Sequence, residues 1–436
     1  MWPYHPELLA TPVPRYTSFP TAAEFAPLDR RAHAEAISTA TGDVSLYVHI
    51  PFCEKICWYC GCNTAAVNKA QRLATYLDAL HSEIALLAAQ LPASARVRRI
   101  AFGGGSPNAL NVVDFIRLFD ALVLHFRLED PVVSIELDPR TLTADWAPVL
   151  ASIGAARASL GVQTFSPALQ DAIGRVQPLR LIENGVELLR TAGVTSMNFD
   201  MMYGLPGQTR DHLQSSLDLA ESFGADRIAL FGYAHVPQLI ARQRRIDASA
   251  LPDSEERFGM AALGHDRLTA GGYVPVGFDH FAMRDDPLAQ AAAAGTLRRN
   301  FQGFTDDTAP VVLGLGASAI SSFPALLAQN EKNSGRYRML LSQDRLPLSL
   351  GKARSADDRR RGAVIEALLC SGRARVGKAL LDDAGGRLAP YADKGLCTIE
   401  GEYLSIATGA LPYARSIAAA FDPYRQDSAR RFSSAV

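Results

Sequence analysis

Between about Val44 and Gly271 the chain alternates short apolar runs with longer amphipathic ones, six times over. No other feature constrains the fold as much. "VSLYVHI", "RRIAFGGG", "VVSIELDP", "ARASLGVQTF", "TSMNFDMMYGLPGQT" and "DRIALFGYAHV" read as strands running into loops. Between them, "QRLATYLDALHSEIALLAAQL", "VVDFIRLFDALVLHF", "ADWAPVLASIG", "LIENGVELLRTAG" and "DHLQSSLDLAESFG" place apolar residues at helical spacing. Asn111 suits the N-cap of the second helix, and Gly154 closes the third. Strand–helix alternation of this kind predicts a parallel sheet with right-handed crossovers. Ligands of such sheets gather at the carboxyl ends of the strands. The unusual residues fall there: the cysteines, Gly103 to Ser106, Glu136, Gln163, Asp200 and Ala234. Two later apolar runs, "GGYVPVGF" and "PVVLGLGASAI", are candidates to extend the sheet.

The fold class expected is therefore α/β, a partial six-unit (β/α) barrel with extra strands. Residues 1–43, rich in Pro and Ala, read as an arm that packs on a domain. Residues 44–323 form the barrel. Residues 324–436 turn basic and helical, with two short strands around "EGE", which predicts a small, mainly helical, winged-helix-like C-terminal domain. Apolar residues make up 48% and charged residues 20% of the chain, ordinary for a soluble globular protein. A formal net charge of −1 gives no global field for nucleic acid or membranes. The first residues have no basic start followed by an apolar run, so no signal peptide is expected. No apolar run approaches the ~20 residues of a membrane helix. A cytoplasmic protein is expected, without nucleic-acid partners and without a membrane span.

"YVHIPFCEKICWYCGCNT" holds four of the six cysteines, Cys53, Cys57, Cys60 and Cys62. A disulfide framework, a zinc site, a redox pair and an iron–sulfur cluster each use clustered thiols. Without a secretion signal, metal ligation or catalysis is favoured over disulfides. Zinc wants two separated pairs, and Cys370 and Cys397 lie far apart in apolar contexts. A redox pair of Cys57 and Cys60 leaves Cys53 and Cys62 unexplained. Cys-x3-Cys-x2-Cys places three thiolates on one loop, which leaves one iron of a [4Fe–4S] cluster without a protein ligand.

This triple-cysteine loop after the first strand resembles the radical S-adenosylmethionine (SAM) superfamily. "PRYTSFPTA", "CGCN", "GGGSP", "GVQTF", "NFDMMYGLPGQT", "RRNFQGFT" and "GLGASAIS" together resemble one of its families, the oxygen-independent coproporphyrinogen III oxidases, from about Arg15 to Tyr424. The resemblance implies oxidative decarboxylation of two propionates of coproporphyrinogen III to vinyl groups by way of a 5′-deoxyadenosyl radical. It implies a [4Fe–4S] cluster on Cys53, Cys57 and Cys60, with Cys62 structural or tuning, and two SAM molecules. Tyr47, Gly104, Glu136 and Ile320 match contacts to the first SAM. Tyr59, Gly105, Ser106, Gln163, Arg175, Asp200 and Ala234 match the second site. Tyr47, His49 and Glu136 are expected nearest the reaction. The partners implied are a tetrapyrrole substrate and a reductant for the cluster, and a monomer is expected. Arg15, Arg298, Arg299 and His280 are candidates for propionate carboxylates, because arginine binds a carboxylate through two parallel donors.

Overall fold

The computed structural model describes residues 2–66 and 70–427. Six strands follow one another in parallel: β1 (Gly42–Ile50), β2 (Ala95–Gly104), β3 (Leu128–Leu137), β4 (Ala155–Gln163), β5 (Ser196–Tyr203) and β6 (Arg227–Gly232). Preceding them is α1 (Arg30–Ser38). The crossovers carry α2 (Ala70–Ala88), α3 (Val112–His125), α4 (Trp146–Ser152), α5 (Leu179–Thr191) and α6 (Arg210–Ser222), and α7 (Ser254–Ala270) follows β6. Asn111 caps α3 as its sequence position suggests, accepting from the Asp114 amide at 2.9 Å.

Both later apolar runs join this sheet, at opposite ends. β7 (Val274–Val276) and β8 (His280–Ala282) form a hairpin, and β8 lies antiparallel to β6. β9 (Arg298–Asn300) and β10 (Gly303–Thr305) make a separate hairpin. β11 (Val311–Leu315) runs parallel to β1, and β12 (Ile320–Phe323), β13 (Leu326–Asn330) and β14 (Leu348–Ala353) extend it antiparallel. With Ala26–Pro27 beyond β14, the sheet has thirteen strands among the described residues and is open, since its edges, β7 and Ala26–Pro27, do not pair. The C-terminal region carries α8 (Ser334–Leu341), α9 (Ala356–Ser371), β15 (Arg373–Arg375), α10 (Lys378–Ala392), β16 (Cys397–Glu400) and β17 (Tyr403–Ile406), with β17 paired between β15 and β16.

The apolar core lies between sheet and helices. The concave face is different. Closed barrels fill their interior with Val, Ile and Leu, whereas here Ser45, Arg99, Ser134, Arg157, Ser196 and Asn198 line a cavity of ≈ 310 Å³. Strand register brings them together, pairing Ser45 with Arg99, Ser134 with Arg157, and Arg157 with Ser196. Asp306, just past β10, enters this space. It takes bidentate ion pairs from Arg99 at 2.8 and 2.9 Å and from Arg157 at 2.6 and 2.8 Å.

A second apolar core joins the two chain ends. Leu9, Val13, Tyr16 and Phe19 are buried with Val364, Leu368, Leu388 and Phe421. The Tyr16 hydroxyl donates to Asp422 at 2.9 Å. Among the described residues no helix is long and apolar enough to cross a membrane.

Candidate active site

The loop after β1 doubles back, with Phe52–Cys53 pairing in parallel with Ala65–Ala66. It is tied to the glycine turn after β2, because the Gly105 and Ser106 amides donate to the Ile50 and Phe52 carbonyls at 2.8 Å. From the far side, the segment after β6 closes over it. Gln243 Nε2 donates to the Tyr59 carbonyl at 2.9 Å and to the Ala234 carbonyl at 3.1 Å, and Arg242 reaches the Cys62 carbonyl at 3.2 Å. The result is a cavity of ≈ 580 Å³ bordered by all four clustered cysteines.

Cys57 lies against two cations. Arg175 Nη1 donates to its sulfur at 3.1 Å and Arg140 Nη2 at 3.3 Å. Both guanidiniums also bind Asp138, Arg175 at 3.3 Å and Arg140 at 2.6 Å. Burial pushes the Asp138 carboxyl up, but Arg175 and Arg140 outweigh it and hold it below its ordinary range. Burial, with Cys60 beside it, pushes the Cys53 thiol up to about 12. Hydrogen bonding from Cys62 pulls the Cys60 thiol down, and the Cys62 amide lies 3.4 Å from the Cys60 sulfur.

These thiols suit a cluster better than a single ion. Among the described residues no three Cys, His, Asp or Glu groups converge on one ion-sized point, as a zinc site with Zn–S near ~2.3 Å requires. Thiols set around a wide cavity, one of them hydrogen-bonded by arginines, match a multi-iron cluster in which each thiolate meets its own iron.

Beside the cysteines the glycine turn makes room for polar groups. A Cβ on Gly103 would stand 2.7 Å from Glu136, and one on Gly104 2.7 Å from the His49 ring. Gly104 also holds φ +116°, which disfavours any side chain. Its amide donates to Glu136 Oε2 at 3.2 Å. Glu136 sits deep in the barrel mouth, and burial followed by the nearby Asp200 carboxylate raises its carboxyl to about 7. The side chain nonetheless opens onto the cavity and is exposed. Asp200 is pushed up by burial and accepts from Ser159 at 3.1 Å and Asn198 at 2.8 Å. The Tyr47 hydroxyl meets His49 Nδ1 at 3.0 Å. His49 Nε2 is buried without a hydrogen-bond partner among the described residues, and burial lowers the ring to about 4, so it is neutral at neutral pH. Tyr47, His49, Phe301 and Gln302 border a second cavity of ≈ 870 Å³ that shares Cys62, Gly104 and Glu136 with the first.

Most residues singled out in the sequence therefore meet at one place. Cys53, Cys57, Cys60, Tyr59, Gly104, Gly105, Glu136, Gln163, Arg175, Asp200 and Ala234 line one cavity, and Tyr47 and His49 the adjoining one. Two do not. The Ser106 hydroxyl turns inward to Asn108 and accepts from the Asp138 amide at 3.2 Å. Ile320 opens β12 outside both cavities, although its strand partner Gln329 lines the second. Asp138, Arg140 and Gln243 were not anticipated. The first two stand in "LDPR", where charges directly after an apolar strand mark them. Gln243 lies in an ordinary polar stretch, "ARQRR", without any signal.

Comparison with known proteins agrees with this geometry. The profile of the Radical SAM superfamily matches residues 47–220. The oxygen-independent coproporphyrinogen III oxidase of Bradyrhizobium diazoefficiens is 41% identical, with 97% of each chain covered. The one from Escherichia coli is 36% identical over 96% of this chain and 94% of its own. A solved structure of the Escherichia coli coproporphyrinogen III oxidase, described as a radical SAM enzyme, superposes with a TM-score of 0.90 at 35% identity, covering 97% of this chain and 99% of that one. Identity at this level, sustained from arm to C-terminus, places the chain in the oxygen-independent coproporphyrinogen III oxidase family of radical SAM enzymes.

Proposed function

We propose that this enzyme converts two propionate side chains of coproporphyrinogen III to vinyl groups without oxygen, giving protoporphyrinogen IX for haem synthesis. The observation that carries the reading is the meeting of Cys53, Cys57 and Cys60 with Glu136 and Asp200 in one strand-end cavity. At each propionate one hydrogen atom goes to the 5′-deoxyadenosyl radical, one electron to an external one-electron acceptor, and CO2 leaves, so that a carbon–carbon double bond remains. When bound, a [4Fe–4S] cluster on Cys53, Cys57 and Cys60 and SAM supply the 5′-deoxyadenosyl radical that takes the hydrogen atom.

The chain's own residues bind and orient. Glu136 would offer its carboxylate, deep in the barrel mouth, to the cationic end of the first SAM, and the Gly104 amide holds that carboxylate in place. Tyr47 fixes the orientation of the neutral His49 ring, leaving Nε2 as the hydrogen-bonding atom toward substrate. Ile320 supports the first site from its rim. Gln163, Arg175 and Asp200, with Tyr59, Gly105 and Ala234, form the second SAM site, and Ser106 acts on it through the Asp138 backbone. Gln243 and Arg242 hold the covering segment down and keep bulk water from the cysteines. The protein works as a cytoplasmic monomer fed by a one-electron reductant. The test is anaerobic incubation of the reconstituted protein with SAM, dithionite and coproporphyrinogen III, followed by chromatography of the oxidised porphyrins. Protoporphyrin IX is expected. Uncoupled SAM cleavage without any vinyl product would overturn the reading.

A further inference from the structure

Two side chains that border the ≈ 870 Å³ cavity each carry a buried polar atom without a hydrogen-bond partner among the described residues, His49 Nε2 and Gln329 Oε1. His49 is 8% exposed and Gln329 6%, so bulk water satisfies neither. Gln329 has no role in the chemistry described so far. Its amide is not free to turn. Nε2 donates to the Ser318 carbonyl at 3.1 Å, and a carbonyl can only accept, so the oxygen is the end left over. Ser318 is itself fixed, in the left-handed region at φ +67°, with its amide donating to the Glu331 carbonyl at 3.0 Å. Behind this turn lies α2. Its Glu83, 2% exposed, accepts from the Gly316 amide at 2.7 Å, from Asn330 Nδ2 at 2.6 Å and from the Tyr337 hydroxyl at 2.5 Å. From the same helix, Tyr76 accepts from the Ala317 amide at 3.0 Å and donates to the His49 carbonyl at 2.8 Å. One helix thus holds the backbone that carries both unpartnered atoms.

A buried acceptor left without a donor is costly until a ligand supplies one. Resting on the function proposed above, we propose that Gln329 Oε1 accepts a hydrogen bond from a pyrrole N–H of the porphyrinogen, and that this contact selects the reduced macrocycle over the oxidised porphyrin. The chemistry of the two rings differs at this point. In a porphyrinogen every ring nitrogen is an N–H donor, and saturated bridges let the pyrroles tilt and present those donors to one face. In a porphyrin, conjugation flattens the ring, half of the nitrogens have lost their hydrogen, and the remaining N–H groups point into the ring centre. A fixed, uncharged acceptor suits the first and is left unpaired by the second, which is how a buried polar group discriminates between close analogues. The cavity is wide enough for such a ring, since ≈ 870 Å³ lies toward the top of the range for pockets that enclose whole small molecules.

Anaerobic equilibrium binding to the reconstituted protein, without SAM, tests this with coproporphyrinogen III and coproporphyrin III as probes. Both carry the same propionates, so carboxylate contacts cancel in the comparison. The parent should bind the porphyrinogen about 3- to 10-fold more tightly than the porphyrin. Gln329→Met, similar in length but without the amide, should lose that margin through weaker porphyrinogen binding, with the affinities for coproporphyrin III and S-adenosylhomocysteine unchanged. Gln329→Glu retains an acceptor and should keep part of the margin. Equal affinity of the parent for the two macrocycles, readable without any variant, overturns the proposal. So does a margin that survives Gln329→Met, or a variant that weakens both macrocycles alike, which would make the side chain structural. A selective loss of S-adenosylhomocysteine affinity would assign the acceptor to the nucleoside and overturn it as well. Protoporphyrin formation by a parent without the margin leaves the function standing and removes this contact. A Gln329-dependent margin in a parent that makes no protoporphyrin does the reverse.

Discussion

Arg175 places its Nη1 3.1 Å from the sulfur of Cys57, and Arg140 approaches the same sulfur at 3.3 Å. Hydrogen bonds to ligand sulfurs draw electron density from a cluster and raise its reduction potential. Arg175 is also bound to the Gly161 carbonyl and to Asp138, so its removal would disturb several loops. Arg140 also binds Asp138, and its carbonyl partner, Lys55 at 3.0 Å, lies on the cysteine loop itself, so its removal perturbs fewer separate segments. Arg140→Gln should keep a full complement of iron while shifting the cluster's potential to a more negative value, read by redox titration with electron paramagnetic resonance. An unshifted potential would mean that this contact is absent in the loaded protein.

Under the assignment proposed above, Cys62 is a neighbour of Cys60 rather than a fourth ligand. Its amide lies 3.4 Å from the Cys60 sulfur, and it acts as a hydrogen-bond donor that favours the Cys60 thiolate. Cys62→Ser should therefore bind close to the parent's iron, whereas Cys53→Ala, Cys57→Ala and Cys60→Ala should each lose the cluster's visible absorption. Iron analysis finding Cys62→Ser as empty as Cys53→Ala would make Cys62 a ligand.

Period and spacing made the barrel legible, because each β-strand is a short apolar run and each crossover helix a longer amphipathic one. The strand-end position of Glu136 and Gln163 followed from that alone, whereas Asp200 lies inside β5, three residues before its end. Side-chain direction did not follow from it. Ser106 carries the right hydroxyl at the right place in "GGGSP", yet it points to Asn108. The arm was harder still. Its anchors Leu9, Val13, Tyr16 and Phe19 stand at helix-like spacing, yet residues 10–20 form no helix, and their partners lie some 350 to 410 residues later on α9 and beyond. The polar barrel lumen was hidden too. Arg99 and Arg157 read as ordinary surface charges until strand register turns them inward toward Asp306.

Asp306 is the sole acceptor of both bidentate pairs, and burial of its carboxyl is outweighed by Arg157 and Arg99, which hold it well below the usual range. Removing one partner of a buried pair strands the others, at a cost of roughly 3–5 kcal/mol. Asp306→Ala should lose about that much in denaturant unfolding. It should also lower turnover, because the same segment carries Phe301 and Gln302 to the site. A loss below about 1 kcal/mol would mean that Asp307, 3.5 Å from Arg99, takes over the charge.

His33 on α1 gives the fold an acid-sensitive point. It is 6% exposed and packs edge-on against Phe323 at 6.0 Å between centroids. Burial, helped by Arg30, lowers its pKa from 6.5 to about 4. The unfolded chain therefore takes up this proton more readily than the folded one. The stability involved is complete above pH 6.5 and drains away as pH falls toward 4. Between pH 7 and pH 5 linkage gives a loss of about 2 kcal/mol from this residue. His33→Leu keeps the apolar contact and removes the proton site. Urea unfolding of the cofactor-free protein should show the variant losing about 2 kcal/mol less than the parent over that interval. Carboxylates and the similarly lowered His49 titrate alike in both proteins and cancel in the comparison. Equal pH slopes for parent and variant would show that His33 protonates in the folded state without penalty.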